Sequence, residues 1–189
     1  MYPLGKSLKL LADTMDRLGI AYLIGGSVAS GARSIARATR DIDLVARIGI
    51  HQVTQFAEAL GPEWYADQEQ MREAISRDRA FNLIHMVSGH KIDIFPATQD
   101  FHRAQLERAT QVTVPFLGEE RGYPVASAED ILLAKLRWYR DGGEVSDRQW
   151  NDIATIVSTN PMLDEHYLRS WAERLGVNDL LTRALTPTA

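Results

Sequence analysis

The sequence predicts an α/β (α+β) fold in which a sheet is flanked by helices and followed by a helical C-terminal segment. Short apolar or alternating segments interleave with helically spaced apolar residues over residues 1–126, whereas residues 127–189 carry only helical spacing. The chain has 189 residues, 45% of them hydrophobic, which suffices for a proper core. We therefore predict an α/β core at 1–126 and a helical part at 127–189 packed on or next to it.

The elements of the core follow from apolar spacing. Leu8, Leu11, Met15 and Leu18 recur at helical intervals before Gly19, a typical helix stop. The apolar run 20–24 is typical of a buried strand. The remaining predicted helices are 27–35, 51–60, 67–77 and 100–109, and the remaining extended segments are 40–47, 80–87, 91–95, 110–116 and 121–126.

The C-terminal part is predicted to contain four helices, at 127–140, 146–158, 163–175 and 177–185. Ser127 followed by Asp130 resembles a helix-entry cap. Asn160-Pro161 separates the second of these helices from the third, because proline does not continue a helix.

Composition excludes several classes of site. The chain has 21 basic and 25 acidic residues and a net charge of −4, so any contact with nucleic acid would need a local basic patch. With 0 cysteines it has no disulfide, thiol nucleophile or cysteine-based zinc site. The 5 histidines show no ligand spacing, and we assign them no role. No apolar run reaches the length of a signal peptide or membrane span, so we expect a cytoplasmic protein without membrane association.

Two carboxylates stand out on a predicted strand. Asp41 and Asp43 alternate with Ile42 and Leu44, so both acids project from one face, about 6–7 Å apart. Because like charges at that spacing repel each other, positive charge is expected nearby. The alternative is a pair of solvent-facing acids on a half-exposed sheet, paired with arginines.

Asp93 supplies a third candidate, since it also alternates with apolar residues on a predicted strand. If the two strands are neighbours, three carboxylates converge. Hard divalent cations prefer oxygen ligands, and Mg²⁺ typically uses one or two carboxylates plus substrate phosphates. A two-metal site of this kind would suit phosphoryl-type transfer.

Gly25-Gly26-Ser27 lies between a predicted strand and a predicted helix. Glycines allow a phosphate to approach the free N–H groups of a helix N-terminus, and Ser27 adds a hydroxyl. A plain strand-to-helix turn uses the same residues. The chain contains neither of the glycine-rich phosphate or dinucleotide motifs and no His-Glu-x-x-His zinc motif.

In combination, these features resemble the nucleotidyltransferase superfamily. The order strand, Gly25-Gly26-Ser27, helix, Asp41-x-Asp43 and later Asp93 is similar to its signature. The stretches 25–45 and 127–152 look like stand-alone members related to AbiEii-like abortive-infection (type IV) toxins. The resemblance covers about residues 20–158 and implies a mixed β-sheet flanked by helices. It does not identify the acceptor, because this fold serves many acceptors.

The resemblance implies a role for each matched residue. Asp41, Asp43 and Asp93 would be the catalytic and metal residues, with Mg²⁺ at a two-metal site or Mn²⁺ in its place. Asp93 would also accept a proton from the attacking hydroxyl. A nucleoside triphosphate would be bound by Gly25, Gly26, Ser27, Arg40, Lys135 and Asp152. The acceptor would be RNA, a protein or a small molecule, and a toxin would have an antitoxin partner.

Several alternatives stay open at this stage. Lys135 is either a phosphate contact or a solvated lysine beside Ile131 and Tyr139. Asp152 either lies near the site, where it would orient Lys135, or forms a surface ion pair with Arg148. A non-catalytic nucleotide-binding module on the same fold is a second class of function. A serine hydrolase, using the Gly-Gly-Ser turn as a nucleophile elbow with Asp93 and His102, leaves the Asp41/Asp43 pair unexplained.

Overall fold

The computed structural model describes residues 3–33, 41–117 and 121–186. Seven strands in this part of the chain are β1 (Tyr22–Ile24), β2 (Asp41–Ala46), β3 (Trp64–Tyr65), β4 (Phe81–His85), β5 (His90–Pro96), β6 (Thr110–Thr113) and β7 (Gly122–Val125). The helices described are α1 (Pro3–Arg17), α2 (Gly26–Arg33), α3 (Val53–Leu60), α4 (Gln68–Ser76), α5 (Asp100–Arg108), α6 (Ala128–Asp141), α7 (Asp147–Thr159), α8 (Glu165–Arg174) and α9 (Asn178–Leu185).

The described strands form one mixed sheet in the order β3-β4-β5-β2-β1-β7-β6. The β2–β5 and β1–β7 pairs are parallel, and the remaining neighbours are antiparallel. The parallel pairing of β2 with β5 brings together two strands that are far apart in sequence. The predicted α/β fold with a mixed sheet and flanking helices is confirmed.

One hydrophobic cluster runs through the molecule. On β2 and β5 the fully buried residues are Ile42, Leu44, Ala46, Ile92 and Ile94, which alternate along each strand and so share one face of the sheet. Helix α6 packs against α2 and α7 and contributes Leu132 to the same cluster. The division of the chain at 126/127 stays a prediction, because this core includes residues from both sides of it.

Local capping explains where several helices begin. Ser127 is the N-cap of α6, and its Oγ accepts a hydrogen bond from the Asp130 backbone N–H at 3.1 Å, as the sequence predicted. Ser146 caps α7 in the same way through the backbone N–H of Gln149, at 3.3 Å. These caps fix the start of the two helices that border the candidate site.

The structure differs from the sequence-based elements in a few places. Helix α1 begins at Pro3 rather than near residue 7, consistent with the tolerance of proline in a first helical turn. Strand β3 and the 3-10 helices Ile50–Gln52 and Pro115–Leu117 were not predicted, because two or three residues carry no periodicity. Among the helices of the described ranges, none combines the length and apolarity that crossing a bilayer requires.

Candidate active site

The candidate site is built on the outer face of the β2–β5 ladder. In this register Asp41 is opposite Lys91, Asp43 is opposite Asp93, and Val45 is opposite Phe95. Residues two apart on a strand share a face, so these three pairs form successive rungs on one side of the sheet. The middle rung places two carboxylates on neighbouring strands, whose backbones are about 4.8 Å apart. Asp43 and Asp93 therefore lie together as predicted, and Asp41 lies one rung away on the same face.

The negative charge of Asp43 is unfavourable in this arrangement. Burial, followed by the negative charges of Asp93 and Asp41, raises the pKa of Asp43 from 3.8 to about 6. A hydrogen bond from the Ser27 backbone N–H and the charge of Lys135 oppose this shift without cancelling it. Like charges opposite each other destabilise a sheet, so a cation bound at the middle rung would stabilise it.

Lys91 supplies part of the missing charge, and sequence reasoning assigned it no function. Its Nζ lies 2.9 Å from Asp93 Oδ2. That hydrogen bond, with the charges of Asp93, Asp41 and Asp43, raises the pKa of Lys91 despite some desolvation. The ammonium thus lies within the field of all three acids. Its contact with Asp93 joins two residues of β5 that share a face, whereas its position opposite Asp41 depends on the pairing of β2 with β5.

The glycine turn packs directly on the acids. Gly26 has φ +53°, and a Cβ built there would lie 1.7 Å from Asp43 Oδ2. A side chain at position 26 is therefore excluded both by conformation and by the carboxylate. The Gly25 N–H donates to the Asp43 carbonyl oxygen at 2.8 Å. The turn predicted to bind phosphate thus also holds Asp43 in place at the N-terminus of α2.

Lys135 of α6 is only 7% exposed. This burial excludes the alternative in which Lys135 is a solvated lysine beside Ile131 and Tyr139. Its Nζ donates to Asp152 Oδ2 on α7 at 2.9 Å, so Asp152 orients the ammonium rather than serving only as a surface partner for Arg148. A cavity of about 340 Å³, here called the polar cavity, is lined by Ser27, Lys135, Trp138, Ser146, Arg148, Gln149 and Asp152.

A second cavity, of about 210 Å³, borders Asp43 of the middle rung and is called the aromatic cavity. Gly25, Gly26 and Asp43 line it, together with Phe95, Phe101 and Trp138. Trp138 borders both cavities, and its ring centroid is 6.0 Å from that of Phe95. The Trp138 side chain is therefore a wall that the polar cavity and the aromatic cavity share.

The donor set of the rungs suits a hard divalent cation. Asp41, Asp43 and Asp93 offer only oxygen ligands, and the pKa of Asp43 is raised by burial and then by the negative charges of Asp93 and Asp41. Within the described ranges, no three acidic or histidine side chains are grouped closely enough to hold a metal by themselves, so the three carboxylates share a face without converging fully. Mg²⁺ normally takes one or two carboxylates and completes its shell with water and substrate phosphates. The residues thus fit a metal that binds together with a phosphate substrate.

The arginines near the acidic strand divide into two groups. Arg40, predicted to contact nucleotide, lies outside the described residues, as does Arg37. Arg33 is described, and its guanidinium donates to the Ala126 carbonyl at 3.1 Å and to Thr110 Oγ1 at 2.6 Å. It ties α2 to the β6–β7 side of the sheet.

Two of the histidines share hydrogen-bond partners away from the acids. His85 and His90 flank the β4–β5 turn, and each Nδ1 lies 2.8 Å from Ser88 Oγ. Ser7 Oγ of α1 joins them at 3.2 and 3.0 Å. His102 lines the aromatic cavity, whereas Ser27 lines the polar one. The Ser27–His102 arrangement of a serine hydrolase is therefore not formed.

Similar solved structures were found. The chain is 16% identical to the antibiotic-resistance factor ANT(2'')-Ia, covering 95% of this chain and 96% of that one, with a TM-score of 0.56. An antigenic nucleotidyltransferase-like protein from Paracoccidioides brasiliensis is 22% identical over 96% and 91%, with a TM-score of 0.56. The lincosamide antibiotic adenylyltransferase LnuA, bound to lincomycin, is 19% identical over 82% and 96%, with a TM-score of 0.50.

No protein-family model and no curated protein matches the chain. At these identities the structural similarity establishes the fold, which is that of nucleotidyltransferases. What the chain does with this fold has to be argued from its own site.

Proposed function

We propose that the protein is a nucleotidyltransferase that moves a nucleoside monophosphate from a nucleoside triphosphate to a hydroxyl-bearing acceptor. The observation that carries the proposal is the in-register Asp43/Asp93 rung against the Gly26 turn. A purely structural strand pair gains nothing from opposed carboxylates, which destabilise it. The shared fold with nucleotidyltransferases supports the same activity.

Different residues of the site would bind the metal ion and the phosphates of the triphosphate. Asp41, Asp43 and Asp93 would hold Mg²⁺, which when bound neutralises phosphate charge and polarises the reacting phosphorus. Ser27, Lys135 and Arg148 surround the polar cavity and would bind the β- and γ-phosphates. Asp152 keeps the Lys135 ammonium at the cavity wall through their 2.9 Å ion pair.

The transfer balances as a single displacement. The acceptor oxygen bonds to the α-phosphorus while its proton passes to a carboxylate oxygen of Asp93. The bond from the α-phosphorus to the bridging oxygen breaks, and its electron pair leaves with pyrophosphate. Lys135, held by Asp152, stabilises the charge that develops on the leaving group.

The narrower assignment to AbiEii-like toxins, with an RNA acceptor and an antitoxin partner, rests on the sequence stretches 25–45 and 127–152. The solved structures similar to this chain include antibiotic adenylyltransferases, which favours a small-molecule acceptor as the alternative. Both assignments use the same donor chemistry at Asp43 and Asp93, and they differ in the product that carries the label.

The direct test combines α-labelled nucleoside triphosphates, Mg²⁺, and either total RNA or the low-molecular-weight fraction of a cell extract. We expect wild type to transfer label and release pyrophosphate, and Asp93→Asn to lose roughly 10³-fold or more of the rate. Glu58→Gln, an exposed carboxylate-to-amide change on α3, is the matched control and should retain the rate.

A non-catalytic nucleotide-binding module would give a different result. In that case wild type would bind the Mg²⁺–triphosphate complex without releasing pyrophosphate on any acceptor fraction. Equal transfer rates for wild type and Asp93→Asn would contradict the catalytic role of the middle rung.

A further inference from the structure

The aromatic cavity lies next to the acidic residues of β2 and β5. Val45 and Phe95, the rung that follows Asp43 and Asp93, lie on the same strand face as the acids and line the cavity. One rung corresponds to two residues of strand rise, about 6–7 Å. A molecule packed on Phe95 can therefore extend a substituent toward the Asp43/Asp93 rung, whose Asp43 forms part of the cavity wall.

Aromatic walls make the cavity suitable for a ring. Phe101 of α5 is 4% exposed, and Trp138 of α6 faces Phe95 with ring planes inclined by 33°. Trp138 is also one of the large hydrophobic side chains that the fold leaves exposed, at 36%. Aromatic faces that the protein itself leaves open are favourable contacts for a ring of a ligand.

Gln105 provides a polar side chain in the wall of this cavity. This residue of α5 is 4% exposed and lines the aromatic cavity. Its amide can donate a hydrogen bond to a polar group of a ligand and accept one from it.

Charge separates the two cavities. The aromatic cavity is lined by the carboxylates of Asp43, Asp78 and Asp141 against the single guanidinium of Arg137. Arg137 is itself 4.0 Å from Asp141. The polar cavity has the reverse balance, with Lys135 and Arg148 against Asp152. A triphosphate therefore fits the polar cavity, whereas the aromatic cavity repels anions and favours a neutral or cationic molecule.

We propose that the aromatic cavity binds the acceptor of the transfer reaction, and that this acceptor is a small, ring-bearing hydroxyl compound that is neutral or cationic. The inference rests on the proposed function. The ring packs against the cavity-facing surfaces of Phe95 and Trp138, a polar substituent bonds to Gln105, and a hydroxyl points toward the Asp43/Asp93 rung. An RNA acceptor would bring phosphates into an acidic cavity, which is why the geometry points away from it.

The first experiment measures binding with three phenols of similar shape. Tyramine is cationic, 4-ethylphenol neutral and 4-hydroxyphenylacetate anionic. Nitrogen-15 NMR follows the Trp138 indole signal, assigned with Trp138→Phe. We expect tyramine and 4-ethylphenol to shift this signal, and the anion to bind roughly tenfold more weakly. Absence of a shift with all three at millimolar concentration would overturn the proposal.

Two variants locate the binding. Ala134→Leu fills the cavity from α6 and should abolish the shifts, whereas Ala154→Leu, at an exposed position of α7, should not. Gln105→Leu preserves size but removes the amide, and should weaken phenol binding roughly fivefold. It also serves as the second variant if Ala134→Leu does not fold. Wild-type binding by both cavity variants would overturn the site.

Labelling distinguishes this inference from the proposed function. Wild type should label a compound in the low-molecular-weight fraction, and Ala134→Leu should label it at least about tenfold more slowly while still binding the Mg²⁺–triphosphate complex. Label that enters RNA at equal rates in wild type and Ala134→Leu overturns the acceptor site alone. If wild type does not bind the Mg²⁺–triphosphate complex, the proposed function itself is contradicted.

Discussion

Two buried acids, Asp43 on β2 and Asp130 on α6, are held in opposite ways. Asp130 is fully buried and accepts hydrogen bonds from Ser127 Oγ at 2.8 Å and from the Tyr167 hydroxyl at 2.6 Å. The Arg108 guanidinium lies 3.9 Å away. This network ties α6 to α8. The Asp130 carboxylate is therefore surrounded by donors and positive charge.

Asp43 is less buried than Asp130, but the charges closest to it are negative. Its nearest charges include Asp93 and Asp41, it accepts a hydrogen bond from the Ser27 backbone N–H, and Lys135 acts on it only through its charge. Burial raises the pKa of both Asp43 and Asp130, so the shift alone does not separate them. The difference lies in the partners: a structural acid is neutralised by the fold, whereas a functional one is left for a ligand to neutralise.

The largest expected effect is on activity. Asp43→Asn should lower the transfer rate roughly 10³-fold or more, since it removes a carboxylate from the reacting rung. Asp130→Asn, the matched change at the structural acid, should lower the rate per folded molecule by less than about threefold. Steady-state rates of pyrophosphate release measure both. Equal losses of transfer rate in the two variants would contradict the distinction between a functional Asp43 and a structural Asp130.

The second expected effect is on stability. Here removing Asp130 should be harmful, whereas removing the charge of Asp43 should not. Asp130→Ala removes the buried acceptor of the Tyr167 and Ser127 hydroxyls, and should lower the free energy of unfolding by about 3 kcal/mol. Urea titration followed by circular dichroism measures the change. Glu58→Ala, at an exposed position, should stay within about 0.5 kcal/mol of wild type. An unaltered urea midpoint for Asp130→Ala would show that the network is dispensable.

Asp43→Asn should stabilise the metal-free protein. Because the pKa of Asp43 is raised from 3.8 to about 6, the folded state binds more protons than the unfolded state between these values. Wild-type stability therefore falls as pH rises from about 4 to 6, by on the order of 2 kcal/mol. Asp43→Asn lacks this term, so its Tm should exceed that of wild type at pH 7.5 but not at pH 4. A lower Tm at both pH values would contradict the account.

Asp152 is an intermediate case, an acid at the site that has a buried cation as its partner. Asp152→Asn should leave Lys135 less firmly placed and raise the KM for the nucleoside triphosphate roughly fivefold, with kcat changed less. Asp147→Asn, on the first turn of the same helix, is the control. A change confined to kcat would place Asp152 in the chemical step instead.

The sequence predicted the elements well because their signals are local. Apolar spacing located the helices, and alternation around Asp43 and Asp93 correctly placed both acids on one face of their strands. The Ser127 cap was also predicted from three neighbouring positions. Each of these inferences needs only residues within one or two turns of one another.

The remaining features depend on which strands become neighbours. Lys91 lies opposite Asp41 only because β5 pairs in register with β2. The Ser7–His85–His90 cluster requires α1 to pack on the β4–β5 turn. Gln105 is predicted as part of a helix, but its place in the wall of the aromatic cavity follows from the packing of α5 in the fold. No local pattern encodes such long-range contacts.

The most direct test of the central claim is a thermal shift with Mg²⁺ and α,β-methylene-ATP, an analogue that resists the transfer. The account predicts that the two together raise the Tm of wild type and of Glu58→Gln, and that neither Asp43→Asn nor Asp93→Asn responds. An equal rise in Tm for Asp43→Asn and wild type would show that the Asp43/Asp93 rung is not where the nucleotide and metal bind.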